Sequence, residues 1–182
     1  MSEFCEQLKD SVSPWVDVSV RGFPYAKVME YFTNRERNLD VLDVGCGWGY
    51  LAYALNALGF KTTGIDITSE GVEFAKRTYG LPYHKTTVEE YQGKHDVVVA
   101  VEVFEHVPNP KEWLKRCLEI APKVVLTTPN ISHYGNAAWT SDPPPIHLAC
   151  YRRESLEWLA KELDVRVEID SSGPNLIAIY ER

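Results

Sequence analysis

Between Leu39 and Gly59 a short apolar run, Leu39 to Val44, meets the glycine cluster Gly45-Cys46-Gly47-Trp48-Gly49. The chain leaves it at helical period, with Leu51, Ala54, Leu55 and Leu58 on one face. This order of strand, glycine loop and helix constrains the fold most, because it is the opening unit of a parallel sheet covered by helices. Gly59 supplies the helix stop.

The alternation continues. Lys61 to Ile65 predicts a second strand ending at Asp66, with Thr68 or Ser69 placed to cap a helix carrying Val72, Ala75 and Tyr79 inward before Gly80. A short strand near Pro82 to Thr86 precedes Val97 to Val101, whose unbroken apolar character predicts burial on both faces at the sheet centre. Asn109 as cap, Pro110 in the first turn and Glu112 in the capping-box position open a helix with Trp113, Leu114, Cys117 and Leu118. Val124 to Thr127 reads as a fifth strand. An irregular stretch from Pro129 to Cys150 then holds Asn130, His133, Tyr134, Trp139, a stiff Pro143-Pro144-Pro145 run and His147. Leu156, Leu159, Ala160 and Leu163 give a last helix, and Val165 to Ile169 with Leu176 to Tyr180 give two strands that pair antiparallel at one edge.

The fold class is therefore α/β, a doubly wound, Rossmann-like and mostly parallel seven-stranded sheet in three αβα layers, with an antiparallel C-terminal edge strand. Residues 1–38 read as an N-terminal helical cap with a helix from Phe23 to Phe32 that begins near Pro24. Residues 39–182 read as the cofactor-binding domain, and 182 residues suit one compact domain overall.

Charge narrows the function. A net charge of −7, from 26 acids against 19 lysines and arginines, argues against the broad phosphate-neutralising surface of a nucleic-acid binder. No apolar run reaches the roughly 18 residues of a membrane span, and Met1 to Asp10 carries Glu3, Glu6 and Asp10 in place of a basic flank; the expectation is a cytoplasmic protein with no membrane insertion. Cys5, Cys46, Cys117 and Cys150 form no Cys-x-x-Cys pair, so free thiols are expected. Nothing in the sequence fixes an oligomeric state.

Glycines at the first turn permit positive φ and let a ligand approach the backbone, so a cofactor belongs there unless the loop merely closes a tight turn. Asp66, about 20 residues on, stands where a carboxylate accepts ribose hydroxyls; the alternative is a helix cap. A dinucleotide fingerprint wants glycine where Tyr50 stands, which disfavours NAD. Further on, Glu102, Glu105 and His106 share a face if the chain turns helically, and could converge on a divalent cation with His147 as a fourth ligand.

Val41 to Gly49, Gly64 to Ile67, Glu102 to Val107 and Thr127 to Asn130 together resemble the motifs of class I S-adenosylmethionine-dependent methyltransferases, over about residues 39 to 181. The nearest likeness is to the ubiquinone-biosynthesis O-methyltransferases. That resemblance implies S-adenosylmethionine as cofactor. It places Gly45, Cys46 and Gly47 by the methionine part, Asp43 near its amino group, Asp66 on the ribose, Ile67 against one adenine face and Thr87-Val88 framing the other, with Glu102 also lining the cofactor. Many relatives carry Asp at the position of Thr87, so the adenine amino group needs another partner here. Glu102, Glu105, His106 and His147 resemble the cation site of ubiquinone-type and small-RNA 2′-O-methyltransferases, which would hold Mg, Mn or Zn; in related enzymes without metal, Glu-His-Val-Pro only shapes the loop.

The reading is a methyltransferase acting on a small-molecule acceptor, at oxygen. His147 comes first as catalytic residue, then His106, with His133 a further candidate base. Trp15, Tyr25, Tyr134 and Trp139 either line the acceptor pocket or anchor packing. The alternatives are metal-assisted small-RNA 2′-O-methylation and a non-catalytic cofactor-binding module.

Overall fold

The structure is a computed structural model that describes residues 14–134 and 147–182, with side chains described from residue 21 and not at residue 134. Trp139 and Pro143 to Pro145 lie outside the described residues, as do the side chains of Trp15 and Tyr134. The chain divides after Tyr91 into two compact units.

The first unit holds α1 (Pro14–Thr33), β1 (Asp40–Val44), α2 (Tyr50–Ala57), β2 (Lys61–Asp66), α3 (Ser69–Tyr79) and β3 (Tyr83–Lys85). Strand β2 pairs in parallel with β1, Val44 opposite Ile65, and with β3, Asp66 opposite Lys85. Helix α1 starts nine residues earlier than the sequence predicts and carries Pro24 inside it. A proline within a helix costs about 3 kcal/mol in lost hydrogen bonding and crowding. Against that, Pro24, Val28 and Phe32 are buried at a four-residue spacing, and the Phe32 ring meets Phe60 edge-on at 5.0 Å. Burying Val28 and Phe32 alone gives about 1.5–3 kcal/mol each, so packing wins. On α2 the buried face is Leu51, Ala52 and Leu55; Leu58 is exposed because the helix ends at Ala57.

The second unit holds β4 (Val97–Val101), a 3-10 turn (Phe104–His106), α4 (Pro110–Ile120), β5 (Lys123–Pro129), the short α5 (Ile131–Tyr134), α6 (Arg153–Leu163), β6 (Arg166–Asp170) and β7 (Asn175–Glu181). Strand β4 is buried at all five residues and parallel to β5, while β7 runs antiparallel to both β5 and β6. The strand order is β3-β2-β1-β4-β5-β7-β6, a seven-stranded mixed sheet of the expected α/β class. The antiparallel C-terminal strand stands one place in from the edge, which β6 occupies. The burial patterns give the reason: β7 is buried almost throughout, whereas β6 alternates, as suits a strand with one open side.

Two helix starts differ in detail from expectation. Asn109 and Thr68 occupy the cap positions, but neither side chain caps its helix. The Thr68 hydroxyl is spent on Asp66. Among the described residues, no helix is long and apolar enough to cross a membrane.

Candidate functional site

In the first unit the candidate site is the loop between β1 and α2. Gly45, Gly47 and Gly49 have φ of 72, 50 and 80°. At Gly49 a Cβ would meet Ala75 Cβ at 2.7 Å and Tyr83 Oη at 2.8 Å, while the Tyr83 hydroxyl donates to Gly49 O at 3.0 Å. That side of the loop is closed by packing. Gly47 is different on the side where a Cβ would sit, because the nearest atom there is Arg21 Nη1 at 3.9 Å, although its carbonyl packs closely against Gly71.

Four loop amides are already committed. Gly45 N and Cys46 N donate to Ile65 O (2.8 and 3.1 Å), Gly49 N to Cys46 O (2.8 Å) and Gly47 N to Asp66 Oδ2 (2.8 Å). Phosphate cradles work by aiming free N–H groups at the anion. A loop that spends these donors internally is poorly made for a pyrophosphate, which agrees with the argument from Tyr50 against a dinucleotide.

Asp66 Oδ1 accepts from Thr68 N (2.8 Å) and Thr68 Oγ1 (2.7 Å). With Gly47 N on Oδ2, three of about four acceptor sites are filled, which leaves one on Oδ2. Asp66 thus ties the glycine loop to Thr68, the residue that precedes α3, without capping the helix itself. Ile67 is 42% exposed, unusual for its size, at the same strand end. The Thr87 hydroxyl accepts from Glu90 N at 3.3 Å and holds a turn, and Val88 is buried.

Asp43 is buried in β1. Burial first, and then its charge, pushes up the Tyr83 hydroxyl and the Cys46 thiol, so both stay protonated near neutral pH. The Cys46 side chain packs with Ala52, Val72, Ala75 and Tyr83, so what it contributes beside the loop is core. Sequence reasoning passed over Arg21, whose positive charge lowers the Cys46 thiol slightly against those effects. A signal was present: Arg21 precedes Val28 and Phe32 by 7 and 11 residues, on the same face of α1.

In the second unit the strongest strand, β4, is followed by Glu102, whose φ of 54° is costly for a residue with a side chain. Thr127 holds it there. Glu102 N donates to Thr127 O and Oγ1 (3.3 and 3.2 Å), and Thr127 Oγ1 donates to Glu102 Oε1 at 2.8 Å. The expected helical turn is the short 3-10 turn, which brings together Glu105, His106 and His147 with donor atoms all within 4.8 Å of one another. Glu102 is not in that group.

Glu105 is buried, and its Oε2 accepts from Thr128 Oγ1 at 3.0 Å. Its Oε1 faces His106 Nε2 at 3.9 Å and His147 Nε2 at 4.0 Å. The loop carrying His147 is stapled to the turn, with Leu148 N and Ala149 N donating to Glu105 O (2.8 and 3.2 Å) and Tyr151 Oη to Phe104 O (3.4 Å). Burial and the neighbouring His106 lower His147 to about 4, so its ring is neutral near pH 7 and keeps a lone pair. Zinc takes imidazole nitrogens and carboxylate oxygens at about 2.0–2.2 Å, and two imidazoles with one carboxylate is an established donor set. Glu105, His106 and His147 are thus a set of side chains that could hold a metal ion. His133 is exposed and lies outside the trio, and Tyr25 is half-buried on α1.

The profile of a family described as a methyltransferase domain matches residues 19–168. The chain belongs to the class I S-adenosylmethionine-dependent methyltransferases. This methyltransferase is 36% identical over 104 residues to the ubiquinone biosynthesis O-methyltransferase of Sodalis glossinidius, covering 50% of this chain and 42% of that one. With the Proteus mirabilis enzyme of the same description it shares 31% over 131 residues, 63% of this chain and 54% of that one. The chain spans about half the length of these relatives. Among solved structures, magnesium protoporphyrin IX methyltransferase from Synechocystis with bound SAH has a TM-score of 0.73 at 16% identity, covering 99% of this chain and 93% of that one. A SAM-dependent methyltransferase from Archaeoglobus fulgidus has a TM-score of 0.72 at 20% identity, covering 89% and 94%. At those identities the likeness concerns the fold alone.

Proposed function

We propose that this methyltransferase moves a methyl group from S-adenosylmethionine to an oxygen of a small-molecule acceptor. The observation that carries the oxygen assignment is the trio of Glu105, His106 and His147, whose donor set suits a divalent cation. When bound, such a cation would polarise an acceptor hydroxyl and lower its pKa, which an amine nucleophile does not need. The ubiquinone biosynthesis relatives, O-methyltransferases by name, support the same choice.

The sulfonium cofactor carries the activated methyl, so the chain's work is to bind, orient and exclude water. In this reading the uncrowded face of Gly47 receives the methionine part, and the remaining acceptor site of Asp66 Oδ2 takes a ribose hydroxyl. The exposed Ile67 side chain lies against adenine, and the Arg21 guanidinium pairs with the methionine carboxylate. Asp43 supplies negative charge for the amino group. Glu105, His106 and His147 offer Oε1 and two imidazole nitrogens to the cation. Apart from Arg21, residues 1–38 serve as the acceptor-side segment, and residues 39–182 as the cofactor domain.

The small-RNA alternative would use the same trio, but the net charge of −7 favours a small acceptor over a polyanion. The test is release of S-adenosylhomocysteine from the metal-supplemented chain, screened against phenols, carboxylic acids, amines and short RNAs, with and without chelator. Turnover on a phenol or acid, suppressed by chelator, is the expected result. Turnover confined to amines or to RNA would overturn the proposal, and cofactor binding without turnover on any class would favour the non-catalytic module.

A further inference from the structure

The Glu105 carboxylate is the one member of the trio that is wholly enclosed, and its two oxygens have different duties. Oε1 faces both imidazoles, whereas Oε2 points into the sheet, where Thr128 Oγ1 donates to it at 3.0 Å. Thr128 is itself fully buried on β5, opposite Leu176 of β7, so its hydroxyl has little freedom to move. The next residues are also tied: Asn130 N donates to Pro174 O at 2.8 Å, and Asn130 Nδ2 donates to the carbonyls of Ser171 and Gly173.

We propose that Thr128 is a positioning residue for the cation site, its hydroxyl clamping Glu105 Oε2 so that Oε1 is presented to the space shared with His106 and His147. The inference rests on the cation reading given above and adds to it the residue that orients the carboxylate. Two features make orientation necessary. Without that donor a carboxylate turns easily about its last torsion, whose profile is broad, and a quarter-turn would carry the oxygen that faces the imidazoles out of line with them. The Glu105 carbonyl is already fixed by Leu148 N and Ala149 N, so the main chain cannot follow a side chain that swings. Thr128 therefore completes a grip on Glu105 from both ends. Partners that orient a metal ligand commonly change metal affinity by about 10–100-fold when removed.

The test uses the full chain stripped with chelator and titrated with Zn²⁺ alone by calorimetry, with thermal melting of each variant alongside. Thr128→Val keeps the shape and deletes the donor; it should bind Zn²⁺ about 10–100-fold more weakly than the unaltered chain. Thr128→Ser keeps the donor and should bind within about threefold, rescuing the loss even where stability falls. A folded Thr128→Val variant with unaltered Zn²⁺ affinity would overturn the positioning role while leaving the cation site standing. If Thr128→Val does not fold, Thr128→Ala set against Thr128→Ser decides: weaker Zn²⁺ binding by the Ala variant with binding retained by the Ser variant supports the role, and equal affinity of the two refutes it. An unaltered chain that takes up no Zn²⁺ would overturn both the clamp and the cation reading.

Discussion

Replacing Asp66 with Asn takes one acceptor oxygen from a side chain that serves three donors. In the native chain Oδ1 receives Thr68 N and Oγ1, and Oδ2 receives Gly47 N at 2.8 Å. An asparagine turned toward Thr68 keeps two of these bonds and sets its NH₂ against the Gly47 N–H, donor facing donor. Losing a hydrogen bond to a charged acceptor costs about 1.5–3 kcal/mol when water is excluded. Asp66 is only partly buried, so water recovers some of it, and about 1–2.5 kcal/mol is expected. For a chain of this size that corresponds to a fall of roughly 2–10 °C in Tm. Binding of S-adenosylhomocysteine should weaken about 10–100-fold, because both the loop's anchor and the remaining acceptor site on Oδ2 are disturbed, and each 1.4 kcal/mol is tenfold. Urea denaturation and calorimetry on the same preparation check the two effects. A variant within about 0.5 kcal/mol of the native stability, with unchanged affinity, would refute both the tie between loop and Thr68 and the assignment of the cofactor to this crevice.

Gly49→Ala should cost about 3–5 kcal/mol in urea denaturation, from a left-handed φ of 80° and contacts under 3 Å to Ala75 and Tyr83; a loss below about 1 kcal/mol would show that this side of the loop yields. Arg21→Met should weaken S-adenosylhomocysteine about 3–30-fold and leave 5′-methylthioadenosine, which lacks the carboxylate, unaffected; equal losses for both ligands would remove the ion pair. Among the described cysteines, Cys150 alone is exposed, and partial desolvation with the Glu105 charge raises its thiol above the usual value, so native alkylation at pH 8 should be slower than that of a free cysteine in solution and speed up as the pH rises. Cys46 and Cys117 should label only on unfolding, and peptide mapping that finds Cys46 modified early would contradict its place in the core.

The parts of the fold legible in the sequence were those in which local pattern and tertiary packing agree. Val97 to Val101 is an unbroken apolar run of valines interrupted only by Ala100, as expected of a strand covered on both faces. Pro24 misled in the other direction: it marks a helix start on local grounds, yet α1 runs through it because Val28 and Phe32 bury on the same face. The place of β7 inside the edge was also hidden, since strand order depends on contacts far apart in the chain. In the site, the grouping of Glu105 with His106 followed from their adjacency. That His147 joins them while Glu102 turns to Thr127 depends on a positive φ at Glu102 and on the stapling of the loop after residue 146, and neither has a signature in residue types. Arg21 was missed because a single cation on an amphipathic helix is ordinarily a solvated one.

Thr127 and Thr128 are neighbours on β5, so their side chains leave opposite sides of the sheet, one hydroxyl reaching Glu102 and the other Glu105. Both acids are thereby indexed to a single quantity, the alignment of β5 with β4, which sets Thr127 against Val101, the residue just before Glu102. A one-residue slip would turn every side chain of the strand to the wrong side and strip both carboxylates of their donors together. One residue inserted into β5 ahead of Thr127, remote in sequence from either acid, is therefore an efficient way to abolish this corner of the protein, since both glutamates would lose their donors in one step.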